Sequence, residues 1–405
     1  MNAKQPPLSL APVLPLDVSS SVAAAFDGAR LTQARRLAGW SKKELATKID
    51  VTPAAVGQYE AGAIRPRPEQ VRRLAEALGM PGAFFTAGRP RAALDTASVH
   101  FRSLRSAPAR ERERSLSFTE LLWELAHTLE THIRLPRVDL PGWDGGETIP
   151  GLASDPQQAA HALRAQWGLG DGPIPHLVRL LESHGILVSV MPYLNPDSRK
   201  VYGFSTARLP RPVVVLNDER DDVFRHRFSC AHELGHLLLH GEAHPGDIQN
   251  ERQADAFAAE FLTPSARLTG ALPTRVDFTT LGRLQQTWGV SLDSLLVRCR
   301  ELGLHTEAVS SRAWKRLKAL RSEGLLPPTP VRSFPGEVPV LLQRALDMAQ
   351  RKGVTAESLA GELRWPKKMV HELLDAQDPR PALVLTDTPL DRGGRHRTDH
   401  CSTPR

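Results

Sequence analysis

His232, Glu233 and His236 fall within five residues in the stretch RFSCAHELGHLLLH. On a helix, positions four apart lie slightly more than one turn from each other, so both imidazoles point to one side. Two imidazoles at that separation can grip one Zn²⁺. Glu233 follows the first of them and can reach a water on the metal. Zinc lowers the pKa of that water, and the carboxylate can take its proton. A catalytic zinc also needs a third protein ligand and an open position. Downstream, ERQADAFAAEFL offers Glu251 and, one helical turn on, Asp255. Glu251 can ligate the metal, with Asp255, His240 and Glu260 as rivals for that place. Asp255 can accept the free ring N–H of a histidine ligand and so fix its tautomer. Two antiparallel helices joined near Gly241–Gly246 would bring these parts together, and Gly235 leaves room for a close approach.

Other nearby residues have two readings each. His240 could donate to the oxyanion formed when water attacks a carbonyl, or simply end the helix, where a cation suits the dipole. Tyr202 could be an oxyanion donor or an ordinary strand aromatic. Cys230 reads as a small buried residue, since positions two apart face away from each other on a helix. The stretch VYGFS could offer a strand edge that binds an extended substrate by main-chain hydrogen bonds, or be an interior hairpin with Val213–Leu216.

The elements that must position these residues follow from periodicity. Helices are expected near 156–168, 175–184, 221–240, 250–262, 277–288 and 291–302, with strands at Ile186–Met191, Val201–Ser205 and Pro212–Leu216. Leu121, Leu122, Leu125 and Leu129 mark one amphipathic helix over 115–135. The chain of 405 residues is long enough for two or three domains, and 41% hydrophobic residues suffice for packed cores. The expected fold class is α+β. It divides into a disordered leader (1–25), an all-α unit (26–86), a basic connector with a helix (87–155), a mixed helix-and-strand domain that carries the zinc motif (156–305), a linker (306–336), a small helical domain (337–380) and a disordered tail (381–405). Three cysteines, Cys230, Cys299 and Cys401, form no metal or disulfide pattern. No apolar run approaches the roughly 20 residues of a membrane helix. A cytoplasmic protein is expected.

The unit at 28–80 carries its own signals. Ser41 and Glu44 form a capping box for a helix through Ile49, and Asp50-Val51 make a tight turn. Thr52 caps the next helix with Pro53 at its first position, and Val56 and Tyr59 form its buried face. This is a helix-turn-helix, whose second helix would lie in the major groove of double-stranded DNA. Candidate contacts are Ser41, Lys42, Thr52, Ala54, Ala55 and Gln58. Gln58 could read adenine, and Thr52 could touch a phosphate or a thymine methyl. Ten basic residues between Arg30 and Glu76 face five acidic ones, an excess of +5 within a chain total of +7. The basicity is localised where DNA contact is expected. Residues 354–374 have a weaker helix-turn-helix look, with Arg364-Trp365 as the turn and Pro366 opening the next helix.

RFSCAHELGHLLLH followed by ERQADAFAAEFLTP resembles the ImmA/IrrE family of metallopeptidases over residues 175–300. The Glu-x-x-x-Asp pairing is also similar to that of gluzincins more widely. The resemblance implies zinc held by His232, His236 and Glu251, with Glu233 as catalytic base. It also implies a site-specific endopeptidase that cuts a regulatory protein such as a repressor, under stress or for mobile elements. Asp255 stands where the family often has Asn, and Thr263-Pro264 where Met-Pro is common. Neither change removes the chemistry. Residues 28–80, with YEAG-x-x-x-P, resemble the XRE (Cro/CI-type) helix-turn-helix family. The expected molecule is a DNA-bound regulator with zinc peptidase activity and a protein substrate; it could also be a homodimer. Its rivals are a transcription factor using the zinc fold as a sensor or scaffold, and an antitoxin-type binder. A pure scaffold would not need Glu233 between the ligands.

Overall fold

The computed structural model describes residues 20–94, 100–101, 108–143, 155–191, 203–216, 221–240 and 247–375. The chain is α+β and mostly helical. Its N-terminal unit holds α1 (Ser20–Ala24), α2 (Gly28–Leu37), α3 (Lys42–Ile49), α4 (Pro53–Glu60) and α5 (Pro68–Leu78). Helix α1 lies inside the stretch expected as a leader, and its Ala23 is buried. Local chemistry sets the limits of α3 and α4. Ser41 Oγ accepts from Glu44 N while Glu44 Oε2 accepts from Ser41 N, at 3.2 and 2.6 Å. Asp50 ends α3 in the left-handed region at φ 56°, and Thr52 Oγ1 then accepts from Ala55 N at 3.1 Å. Helices α2 and α4 touch so closely that a Cβ on Gly28 would lie 2.2 Å from the Tyr59 carbonyl oxygen, so only glycine fits. Arg35 Nε donates to Glu60 Oε1 at 2.5 Å and fixes the same contact.

Among the described residues four strands form one sheet in the order β1-β3-β4-β2: β1 (His100–Phe101), β2 (Leu187–Val190), β3 (Gly203–Thr206) and β4 (Val213–Leu216). Strand β4 runs antiparallel to β3 and parallel to β2, and β1 pairs antiparallel with β3 at Ser205 and Phe204. Successive strand residues point to opposite faces. Val213 and Val215 therefore enter one core while Val214 and Leu216 enter another. The sheet is the wall between the two.

On the first face lies α6 (Ala109–His132), longer than the helix expected at 115–135. Leu121, Leu122, Leu125 and Leu129 are fully buried. Helix α6 is not a mere connector. It shares one continuous core with α2–α5, the sheet and the C-terminal helices α15 (Leu341–Gln350), α16 (Ala356–Leu363) and α17 (Lys367–Asp375). Gln33 and the buried Arg30 of α2 donate to Glu124 of α6. The C-terminal helices, expected as a separate small domain, thus complete the core of the N-terminal unit. Arg89 donates to the Leu363 carbonyl, and Arg364 donates to Thr86 Oγ1 and the Ala87 carbonyl.

On the second face lie α7 (Pro156–Gln166), α8 (Leu177–Ser183), α9 (Val223–Leu239), α10 (Ile248–Leu262), α11 (Ser265–Leu268), α12 (Phe278–Trp288), α13 (Leu292–Glu301) and α14 (Glu307–Ser322). Helix α14 lies where a linker was expected; its Ala313 and Leu317 bury themselves in the second core. The two halves exchange caps. Glu337 accepts from Leu177 N and Val178 N at the start of α8, and Glu182 of α8 accepts from Val340 N and Leu341 N at the start of α15. Arg227 of α9 pairs with Glu337 inside this clasp. No helix among the described residues is long and apolar enough to cross a membrane.

Candidate metal centre

Helix α9 is nearly buried all round, because the sheet covers one side and α10 the other. Asp222 caps its start by accepting from Phe224 N at 3.0 Å. At Gly235 an added Cβ would stand 3.0 Å from Phe257 Cδ1 and 3.3 Å from Ala254 Cα, so the missing side chain lets α10 approach. Arg164 of α7 holds the far end of α10 through the Phe261 carbonyl, at 2.5 Å. These contacts set the distance between ligands on different helices.

His232 Nε2 and His236 Nε2 stand 3.0 Å apart. Glu251 Oε2 is 3.5 Å from the first and Glu251 Oε1 3.5 Å from the second. Four ligands arranged tetrahedrally around zinc at 2.0–2.1 Å lie about 3.3 Å from one another, so the triangle has the size a zinc ion needs. His232, His236 and Glu251 form the metal-competent cluster found among the described residues. Burial pushes the His236 imidazole down to about 4, which keeps it neutral and able to ligate. Burial acts to raise the Glu251 carboxyl, but hydrogen bonds with His232 and His236 outweigh it and bring it to about 2. Two imidazoles and an ionised carboxylate form a donor set for a divalent cation.

The outer contacts orient the rings. Asp255 Oδ1 sits 2.9 Å from His232 Nδ1, which turns Nε2 toward the cluster. His240 sits behind His236, its Nδ1 3.1 Å from His236 Nδ1, while its Nε2 meets Gln253 Oε1 at 2.9 Å. One ring nitrogen of His240 thus meets the outer nitrogen of His236 and the other meets Gln253. His240 stands at the end of α9, where burial lowers its pKa. The rival ligand Glu260 is turned elsewhere, toward Arg298 at 2.7 Å and Ser265 N at 2.8 Å. Cys230 is fully buried, and burial raises its thiol pKa. Tyr202 lies outside the described residues.

Glu233 is 1% exposed and points to β3, where Ser205 Oγ donates to its Oε2 at 2.8 Å. A Cβ on Gly203 would lie 3.4 Å from Glu233 Oε1. Strand alternation explains the pairing: Gly203 and Ser205 face α9, while Phe204 faces the other core. Sequence reasoning missed Ser205. The one available signal was a small and a hydroxyl residue at alternate positions of an expected strand. The strand does not present the open edge considered from its sequence at Phe204 and Ser205, since β1 pairs there.

On the N-terminal unit, Thr52, Ala54 and Gln58 are exposed on α4 and Ala55 is half-buried. Ser41 is exposed but occupied in its cap, and Lys42 Nζ lies 3.4 Å from Glu60 Oε2. Two of the ten cations are internal: Arg30 and Arg35 are 1% and 6% exposed. The other eight are not buried.

Residues 181–300 match the family model of the IrrE N-terminal-like domain, a peptidase family, and residues 28–84 match that of a helix-turn-helix domain. The chain joins an XRE-like helix-turn-helix domain to an IrrE-like metallopeptidase domain. No curated protein matches it. The IrrE-like match contains all three cluster residues, Glu233, Ser205 and Asp255. Both α14 and the C-terminal helices lie beyond either match.

Proposed function

We propose that the chain is a DNA-bound zinc endopeptidase that cleaves a regulatory protein, such as a repressor, in the cytoplasm. The observation that supports this reading is the burial of Glu233, the residue after the ligand candidate His232 on α9, with its carboxylate held by Ser205 of β3. A site that only bound metal would gain nothing by burying a further carboxylate there.

In this reading His232, His236 and Glu251 hold the metal. Zinc supplies Lewis acidity toward a peptide carbonyl. Glu233 takes a proton from the attacking water and returns it to the leaving nitrogen. Asp255 keeps the His232 ring in its ligating orientation, and His240 does the same for His236. Thr52, Ala54, Ala55 and Gln58 on α4, flanked by Ser41 and Lys42, face the major groove, and the surrounding cations meet phosphates.

The test compares new protein N-termini in cells producing the wild type with those in cells producing Glu233→Gln. The variant keeps its zinc and loses the cleavage, by a factor of about 10² to 10⁴ for a lost general base. A variant that still cuts sinks the mechanism. Footprinting on duplex DNA with Gln58→Ala tests the other half, where a selective loss at one base position is expected.

A further inference from the structure

The charge of the chain has a second centre that the helix-turn-helix does not explain. Helix α14 carries Arg312, Lys315, Arg316, Lys318 and Arg321 against the single carboxylate of Glu307, an excess of +4 in a chain whose total is +7. Its buried stripe is Ser310, Ala313 and Leu317. The opposite face holds Arg312, Lys315 and Lys318, all exposed, at successive steps of three residues. Positions three apart are neighbours on a helix surface, so these three cations form one ridge. The exposed, small Ser311 and Ala319 stand at its two ends. Arg316 flanks the ridge and lies over the Phe278 ring, 5.6 Å from its centroid.

A solvated helix face normally interleaves acids with its bases. Here the ion pairs are at the two ends, Arg300–Glu307 and Arg321–Asp293. Among the described residues Arg312, Lys315 and Lys318 have no acidic partner. Like charges placed so close repel, which a polyanion would relieve.

We propose that the outward face of α14 is a second nucleic-acid contact, which grips the phosphate backbone of duplex DNA. The inference rests on the DNA-binding part of the proposed function. The face has cations and small residues but no aromatic or aliphatic anchor. That composition suits a phosphate backbone, which asks for charge and close approach. A protein partner would call for an apolar centre of contact.

The test is fluorescence anisotropy with a long mixed-sequence duplex, titrated over a range of salt. It uses the full-length zinc-loaded wild type and a triple variant with Arg312→Gln, Lys315→Gln and Lys318→Gln. The replaced side chains lie outside the buried stripe, so zinc content and thermal midpoint should match the wild type. The expected result is weaker binding at each salt concentration and a slope of log K on log salt shallower by up to about 2.7, some 0.9 per lost phosphate contact. Equal affinity and equal slope overturn the proposal while leaving the helix-turn-helix reading intact. Equal DNA binding with lost capture of polyglutamate also overturns it, and assigns the face to an acidic protein. A wild type that binds no duplex removes the DNA reading and this inference together.

Discussion

At the metal centre the working side chains are enclosed: His232, Glu233 and His236 are 0%, 1% and 1% exposed. On α4 the candidate reading residues Thr52, Ala54 and Gln58 stand in solvent. The first arrangement is defined by neighbours that cannot move without breaking hydrogen bonds. The second is defined by a backbone held from behind, through Gly28, Arg35 and Glu60, with side chains left to adapt. A buried centre should therefore fail in steps set by single contacts. An exposed face should fail through its scaffold before it fails through its surface.

The largest effect is expected for His232→Ala. Bound zinc, measured by elemental analysis, should fall from one per chain to none. Full occupancy would end the ligand assignment. Arg30→Ala should come next, although it touches no ligand and no DNA. It leaves the buried Glu124 with Gln33 and, at 3.6 Å, Arg89, but without its nearest cation, a change that costs about 1.5–3 kcal/mol, the worth of a hydrogen bond to a charged group. Chemical denaturation would show it, and a loss below 1 kcal/mol would mean that α2 is not held by that pair. Asp255→Ala should weaken zinc binding about 10–100-fold while keeping the peptidase domain folded. Competition with a chelator of known affinity reads this directly.

Ser205→Ala should keep zinc and slow cleavage about tenfold, the worth of one hydrogen bond to a charged group. Ser205→Thr should restore most of the rate. The smallest effect is expected for Arg72→Ala, since its pairs with Glu69 and Glu76 are exposed. Its thermal midpoint should not shift measurably. A large shift there would contradict the contrast between a held scaffold and a free surface.

Much of the metal centre was legible because its signals are local. His232 and His236 share one helical turn, and Glu251 and Asp255 share the next helix. Four-residue spacing alone puts each pair on one side. The caps of α3 and α4 were legible for the same reason, since a capping box spans only a few residues. Ser205 was not legible. Its partner Glu233 is 28 positions away, and nothing in a strand's alternation says which helix covers which face. Helix α6 was legible as an amphipathic helix but not as the spine of the N-terminal unit. Its apolar residues could have packed on any apolar partner. The partner is fixed by pairings such as Arg30–Glu124, 94 positions apart. Helix α14 was hidden by the reading of its basic stretch as a linker, although Ala313 and Leu317 give it a buried stripe.

The reach of the C-terminal helices back to the first domain has a consequence for the order of synthesis. Arg89 waits for the carbonyl of Leu363, and Thr86 waits for Arg364, 274 and 278 residues later. A ribosome making this chain releases the helix-turn-helix first, yet the core beneath it closes only when α15–α17 have emerged. Domains commonly fold in the order they are made. Here the first to appear is among the last to be finished, so a nascent or truncated chain would hold a recognition helix on an incomplete support.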